Sequence, residues 1–332
     1  MRNKKLIAVV LGSVICLFLC MLLSVAYGVK SVSMHDIWDA IRGIDTEVLE
    51  VNIVTARIPR TVFGVLGGAA LAVSGALMQA ITRNPIADPS ILGVNTGASL
   101  FVVIGIAFFH IQTGNEYIWL AFLGATITSL LVYGLASAGY GGVTPIKLAM
   151  SGAAAATALQ ALVNTIMLPN SQVMDQFRFW QVGSIGGAEW NDIRLILPYV
   201  IVGFVLSFSL SNSLNTLALG DDAATGLGLH VNRVRGLAAF SGVLLCASTT
   251  ALAGPIGFIG LMVPHLVRMI IGADMRKILP ISAVLGSCVL LLADVLGRFL
   301  GQPGELESGI VTAFVGAPVF ILIIRKVKVR AL

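Results

Sequence analysis

The stretch "RIPRTVFGVLGG", residues 57–68, places two arginines on either side of a proline and continues as a glycine-rich apolar run. No charged residue follows until Arg83, so the run predicts a membrane helix, which we place at 61–80. Arg57 and Arg60 would then lie where that helix begins. The N-terminus of a helix carries a partial positive charge and disfavours a cation by about 0.3–1 kcal/mol. Both arginines therefore need a compensating partner.

The composition is that of a membrane protein with several spans. Of the 332 residues, 57% are hydrophobic and only 11% are charged, whereas an ordinary soluble domain has about 25% charged residues. The mean hydropathy is +0.94. The 36 glycines suit membrane helices that pack closely, and the sequence lacks the ~10-residue alternating segments of a membrane β-barrel. We therefore predict an all-α polytopic membrane protein.

Apolar runs bounded by polar residues, glycine or proline predict about ten transmembrane helices. They are 6–27, 61–80, 91–109, 118–138, 146–167, 193–211, 236–253, 256–271, 278–297 and 308–324. The first run is too long for the apolar region of a signal peptide, so we expect a retained helix. Pro255 and Pro264 predict that the eighth element is broken or re-entrant. Most of the lysines and arginines fall on one side when both termini are cytoplasmic.

A polar segment between the sixth and seventh predicted helices lies on the cytoplasmic side. It reads "LALGDDAATGLGLHVNRVRG", residues 217–236. Asp221 and Asp222 are suited to the positive end of a helix, and Gly226 and Gly228 offer a stop. The segment predicts either a helix of one or two turns on the cytoplasmic face or a plain connecting loop.

Two pairs of polar residues lie within predicted spans. Gln160 and Asn164 share one face of the fifth helix, where they could join helices or line a water-filled pathway. Asp294 and Arg298 are also four residues apart, which favours a local ion pair over a proton relay. Small residues recur at every fourth position of the second and fifth helices, as in closely packed or sliding helix pairs.

Several kinds of site are not predicted. Cys16, Cys20, Cys246 and Cys288 lie in apolar runs without metal-ligand spacing, so we interpret them as small core residues. The four histidines have no HExxH spacing, and the chain has no GxxxxGK[ST] phosphate loop. No nucleophile–base arrangement indicates an enzyme. No basic patch with interleaved aromatic residues indicates nucleic acid binding.

The chain resembles the permease subunits of ATP-binding-cassette importers for iron-siderophores, haem and cobalamin. The resemblance runs from about Ala56 to Ile324 and rests on motifs in the family's order: "RIPRTVFGVLGGAALAVSGALMQAITRNPIADPSILGVNTGAS", "LALGDDAATGLGL", "ALAGPIGFIGLMVPHLVR", "LLLADVLGR" and "GIVTAFVGAPVFI". It implies the type II importer permease fold of ten helices in a bacterial plasma membrane. It also implies a second permease, two cytoplasmic ATPase subunits and an extracytoplasmic substrate-binding protein. No cofactor would be bound by this chain, because ATP-Mg binds to the ATPase subunits.

The resemblance also implies roles for individual residues. Arg57, Arg60 and Arg298 match the arginines that receive the binding protein, where its acidic side chains would compensate them; contact with a loop or lipid headgroups is the alternative. The pathway would follow helices 5 and 10, with Gln160 and Asn164 as candidates. The helix that couples the permease to the ATPase matches Gly220, Asp221, Asp222, Ala223, Ala224, Thr225, Gly226, Leu227, Gly228 and Leu229.

We therefore predict a transport subunit that works by alternating access and performs no bond chemistry. The resemblance favours a ferric siderophore as the substrate, with haem or cobalamin as the alternative. A secondary transporter would need an ion-coupling site, for which Asp294 is the candidate. A structural or signalling membrane subunit would need no pathway at all.

Overall fold

The computed structural model describes residues 2–28, 42, 49–111, 113–138 and 143–326. The described residues form thirteen α-helices, a short 3-10 helix at Pro89–Leu92 and no strand. The helices are α1 Arg2–Ala26, α2 Leu49–Thr82, α3 Val94–Ile104 with a π-helical extension Gly105–Phe109, α4 Gly114–Ser137, α5 Pro145–Met167, α6 Ser171–Val182, α7 Trp190–Ser209, α8 Ser211–Leu217, α9 Asp221–Gly226, α10 Val231–Ala253, α11 Ile259–Ile271, α12 Met275–Leu300 and α13 Ser308–Lys326.

Each predicted span coincides with one apolar helix. Among the described residues, seven helices are long and apolar enough to cross a membrane, and α3, α11 and α13 are shorter apolar helices. The prediction of ten membrane crossings with both termini in the cytoplasm remains a prediction. The amphipathic helix α6 and the short helix α8 were not predicted, because neither carries a long apolar run.

The predicted start of the second helix is wrong. α2 begins at Leu49 and has 34 residues, so it is about 51 Å long, well over the ~30 Å of a bilayer's hydrocarbon core. Arg57 and Arg60 consequently lie two to three turns inside α2, and Pro59 is accommodated within it. The helix-dipole argument therefore does not apply to these arginines, and the contacts of their side chains must explain them.

α2 is the central helix of the bundle and packs against α10, α11 and α12. Its small residues allow this, since a Cβ at Gly68 would overlap the backbone of Gly286 on α12. Two hydroxyls join the helices, from Ser74 to the Gly242 carbonyl at 2.5 Å and from Ser287 to the Val65 carbonyl at 2.6 Å. The small-residue stripe of α2 therefore serves packing within the chain.

The equivalent stripe on α5 is not covered by the rest of the described chain. Its five members are all exposed to the surroundings of the bundle: Ala149, Ala153, Thr157, Ala161 and Thr165. The opposite side of α5 packs closely, because a Cβ at Gly152 would overlap the carbonyl of Ile91. α5 thus has one face in the core of this chain and one small-residue face turned outward.

The predicted break near Pro255 is present. Gly254 and Phe258 both have positive φ (72° and 68°), and α11 starts only at Ile259. Pro264 lies within α11 and has no N–H for the Gly260 carbonyl. Gln79 of α2 compensates, because its Nε2 donates to the carbonyls of Gly260 and Leu261 at 3.3 and 3.0 Å. The irregular backbone is therefore covered by protein, as a membrane requires.

The turn before α12 is fixed by polar contacts outside the membrane-spanning segment. Asp274 caps α12 by accepting from the Arg276 N–H, and Asn215 of α8 donates to the same carboxylate at 2.8 Å. Hydrogen bonds from the Arg276 side chain hold the pKa of Asp274 well below its usual range, with Asn215 adding to the effect. The contact ties α8, which precedes the polar segment, to the start of α12.

Candidate functional site

Five charged residues meet at the end of the bundle that we predict to be extracytoplasmic. We call Arg57, Arg60, Asp294, Arg298 and Glu305 the arginine cluster. The first two belong to α2, the next two to α12, and Glu305 lies in the loop between α12 and α13. Arg298 is far from Arg57 and Arg60 in sequence, and the contact between α2 and α12 brings it to them.

Arg60 is held by two carboxylates of its own chain. Its Nη2 lies 2.7 Å from Asp294 Oδ1, its Nε lies 3.1 Å from both oxygens of Asp294, and its Nη1 lies 2.8 Å from Glu305 Oε2. The side chain of Asp294 is 1% exposed, whereas that of Glu305 is 40% exposed. The Asp294 contact is therefore a buried pair, and the Glu305 contact is open to competition from outside.

Arg298 shares Asp294 with Arg60. Its Nη2 lies 2.9 Å from Asp294 Oδ2, as the spacing of four residues predicted. Its Nη1 donates to the carbonyls of Ser24 and Tyr27, at 2.9 and 2.8 Å, at the end of α1. One carboxylate thus lies between two guanidinium groups, which favours a structural ion pair over a proton relay.

Arg57 also contacts the end of α1. Its Nη1 donates to the carbonyls of Val25 and Ala26 at 3.1 and 3.3 Å. The last carbonyls of a helix have no partner within that helix, so Arg57 and Arg298 together cap α1. The role in receiving a binding protein is not tested by these contacts and remains a prediction. The carboxylates and the helix-end carbonyls of the same chain do provide hydrogen-bond partners for all three arginines.

The polar segment predicted at the cytoplasmic side forms a short helix. α9 spans Asp221–Gly226, begins after Gly220 at φ 114° and is followed by Gly228 at φ 83°. Ala224 is buried, but Asp222, Ala223, Thr225, Gly226, Leu227 and Gly228 are exposed. α9 therefore presents a small protruding surface whose apolar tip is Leu227, 68% exposed.

Asp221 fastens this short helix to two long ones. Its carboxylate pairs with Arg83, at the end of α2, and with Arg235 of α10, whose Nη2 lies 3.0 Å from Oδ1. Arg83 also donates to the Leu217 carbonyl at 3.0 Å, and the buried Arg235 donates to the Val143 carbonyl at 2.5 Å. A displacement of α9 would therefore act directly on α2 and α10. The sequence pattern identified Asp221 but not its arginine partners, because Arg83 is 138 residues away and no helical spacing relates Arg235 to Asp221.

The two candidates for a pathway lie on α5. Gln160 Nε2 donates to Asn164 Oδ1 at 3.1 Å, and the pair borders the exposed small-residue stripe. Asn164 is exposed and Gln160 is half-buried. Their place in a pathway remains a prediction.

Cys20, Cys246 and Cys288 are buried, as expected for small core residues, and Cys16 is half-buried. Cys16 and Cys20 of α1 and Cys288 of α12 come together, with all three sulfur atoms within 4.8 Å of one another. Sequence spacing could not show this, because Cys288 is remote from the other two in the chain. Cys246 is buried on α10 and does not belong to this group.

Comparison with known proteins places the chain in a family. The profile of the FecCD transport family matches residues 16–326. The chain belongs to the FecCD transport family. It is therefore a permease subunit of an ATP-binding-cassette importer, a multi-pass protein of a bacterial plasma membrane and a transport component.

The individual relatives extend over almost the whole chain. The ferric enterobactin transport system permease protein of Escherichia coli strain K12 is 41% identical over 315 residues, covering 95% of this chain and 94% of the relative. An Fe(3+)-citrate import system permease protein of Bacillus subtilis strain 168 is 42% identical over 304 residues, covering 92% and 90%. A solved chain described as the inward-facing conformation of an ABC transporter assigned to the metal-chelate type is 27% identical, with a TM-score of 0.84 and coverage of 96% and 98%.

Proposed function

We propose that this FecCD-family permease imports a ferric chelate of the siderophore class. We further propose that it does so with a second permease, two ATPase subunits and an extracytoplasmic binding protein. The names of its relatives support the substrate class. The observation that carries the proposal is α9, an exposed short helix fastened by one carboxylate to two core helices.

α9 has the properties of a contact point for a motor subunit. Apart from the carboxylate of Asp222, its exposed residues are small or apolar and leave room for a partner surface to close over them. The inner residue Asp221 is anchored to Arg83 and Arg235, so a push on α9 reaches α2 and α10. The chain itself has no phosphate loop. In the proposal, closure of the ATPase pair on ATP moves α9, and α9 moves the bundle.

The outward face of α5 is proposed to meet the second permease. Its stripe of small residues is exposed in the single chain, whereas the stripe of α2 is largely buried. Small residues let helix backbones approach closely, where van der Waals contact rather than hydrophobic burial drives association in lipid. Gln160 and Asn164 border that face and would line a pathway between two copies.

The arginine cluster is proposed to receive the binding protein. Asp294 remains with Arg60 and Arg298, so an incoming carboxylate competes only with the half-exposed Glu305 for Arg60 Nη1. An Arg–carboxylate pair can form two parallel hydrogen bonds. Docking then becomes an exchange of one acidic partner for another, which favours a contact that forms and releases during each transport cycle.

The substrate is tested by the ligand of the cognate binding protein. We expect the protein encoded beside this permease to bind ferric siderophores, measured by quenching of its intrinsic fluorescence, and the reconstituted complex to accumulate the same chelate labelled with radioactive iron. Ferric citrate, haem and cobalamin serve as comparisons. Accumulation of haem or cobalamin, but of no ferric siderophore, would refute the proposed substrate class while leaving the importer function in place.

A further inference from the structure

Three thiols meet between α1 and α12, at a depth where both helices are apolar. Cys16 and Cys20 are one turn apart on α1, and Cys288 faces them from α12. Cys20 and Cys288 are each 3% exposed, and Cys16 is half-buried. The group is surrounded by apolar side chains, which are those of Leu17, Met21, Val65 and Leu291. The thiols thus form a compact sulfur site with an apolar wall and one side toward the surroundings of the bundle.

The spacing of the sulfur atoms suits a metal ion bound by three of them. The sulfurs lie within 4.8 Å of one another. Three sulfurs placed around an ion at about 2.3 Å, a typical metal–thiolate distance, are about 4 Å apart. Small rotations of the side chains therefore suffice to close the site, and no backbone movement is needed.

The number and type of donors select the metal. Zinc is four-coordinate, through a fourth protein ligand or a water, and iron–sulfur clusters use four cysteines. No fourth histidine, cysteine or carboxylate joins this group among the described residues, and its wall is apolar. Soft sulfur donors also suit Cu(I). We propose that Cys16, Cys20 and Cys288 bind one Cu(I) ion in a three-sulfur site that joins α1 to α12.

Binding of Cu(I) exchanges protons for the metal and involves no redox step. Cysteine ligates a metal as the thiolate, so each thiol that binds Cu(I) releases its proton to solvent, and copper is neither oxidised nor reduced. The half-buried Cys16 gives the ion a route of entry from the surface of α1.

The experiment measures Cu(I) binding by the purified full-length permease under anaerobic, reducing conditions. Cu(I) is supplied as its complex with a coloured chelator, and the loss of that colour counts the copper atoms transferred. We expect one Cu(I) per chain and loss of this binding in each of Cys16→Ser, Cys20→Ser and Cys288→Ser. Cys246→Ser is the matched control, because Cys246 is equally buried but lies outside the group.

Two further measurements keep the proposal testable if a variant folds poorly. X-ray absorption at the copper edge of the unmodified permease should show three sulfur neighbours, and Cu(I) should raise the melting temperature of the unmodified permease but not that of Cys288→Ala. No copper uptake by the unmodified permease, fewer than three sulfur neighbours, or binding by a folded Cys288→Ser variant equal to that of the unmodified permease would each overturn the proposal.

Discussion

At the scale of single residues, the buried carboxylate of Asp294 neutralises two guanidinium groups of the arginine cluster. It is the common partner of Arg60 and Arg298, and its side chain is 1% exposed. Removing one member of a buried ion pair leaves an uncompensated charge, and the loss of stability exceeds the net value of the pair itself. The sequence predicted the contact with Arg298 from the spacing of four residues. It could not predict the contact with Arg60, since that depends on how α2 packs against α12.

We therefore expect Asp294→Asn to lower the free energy of unfolding by about 3–5 kcal/mol. Glu305→Gln is the matched control, because Glu305 binds the same Arg60 but is 40% exposed; it should cost no more than about 1 kcal/mol. Chemical unfolding in mixed micelles, followed by tryptophan fluorescence, measures both. An equal decrease in the free energy of unfolding for the two variants would show that the burial of Asp294 does not make its ion pairs more important for stability than that of Glu305.

The same Glu305→Gln variant tests docking. Without a carboxylate opposite Nη1, Arg60 should be more available to an acidic residue of the binding protein, so docking should tighten at low salt and the gain should shrink at high salt. Surface plasmon resonance with the reconstituted complex measures this. Reversal of Arg60 to Glu would be less informative, because it also breaks the pair with Asp294. Unchanged affinity at both salt concentrations would remove Arg60 from the docking surface.

At the scale of elements, the apolar runs, with the polar residues, glycines and prolines that bound them, predicted the positions of the membrane helices. The break at Pro255 followed from proline, which acts locally. The short helix after Gly220 was one of the two alternatives that the glycines and paired acids left open. The start of α2 at Leu49 did not follow, because Arg57, Asn52 and Glu50 interrupt the apolar pattern although the helix continues through them. α6 was missed for a related reason, since it is amphipathic and carries charged residues.

The attachment of α9 gives a prediction at this scale. Asp221→Ala should leave the exposed surface of α9 in place but release it from Arg83 and Arg235. We expect the ATPase subunits to remain bound and to hydrolyse ATP, while the amount of substrate moved per ATP falls several-fold. Ala223→Trp, on the exposed surface of α9, should instead loosen the ATPase subunits. Co-purification and simultaneous measurement of hydrolysis and uptake separate the two effects; normal coupling in Asp221→Ala would refute the anchoring role.

At the scale of the whole molecule, the uncovered face of α5 allows the proposed contact with a second permease to be tested. Ala153 lies in the exposed stripe, and a tryptophan there would keep two backbones apart. We expect Ala153→Trp to shift the purified permease from pairs to single chains in native mass spectrometry. Leu130→Trp on α4 is the control, because Leu130 is 64% exposed but belongs to no small-residue stripe. Loss of pairing in the control alone, or in neither variant, would place the contact elsewhere.

At this scale, the contacts between segments that are distant in the chain could not be predicted from the sequence. The chain pattern indicated a helical membrane bundle, and the motifs around Arg57, Asp221 and Arg298 indicated the family. Three contacts join residues that no local pattern connects. They are the group of three thiols, the hydrogen bonds from Arg57 and Arg298 to the last carbonyls of α1, and the hydrogen bonds from Gln79 to the carbonyls beside Pro264. Each arises from the packing of α2 or α12 with its neighbours.

We propose that ATPase subunits drive the inward movement of substrate through this permease. The most direct measurement places the complete complex in vesicles of known orientation, adds binding protein loaded with labelled ferric siderophore to the extracytoplasmic side, and supplies ATP only to the ATPase side. We predict accumulation with ATP, none with a non-hydrolysable analogue, and none from a proton or sodium gradient alone. Accumulation driven by an ion gradient without ATP would contradict the account and make the chain a secondary transporter.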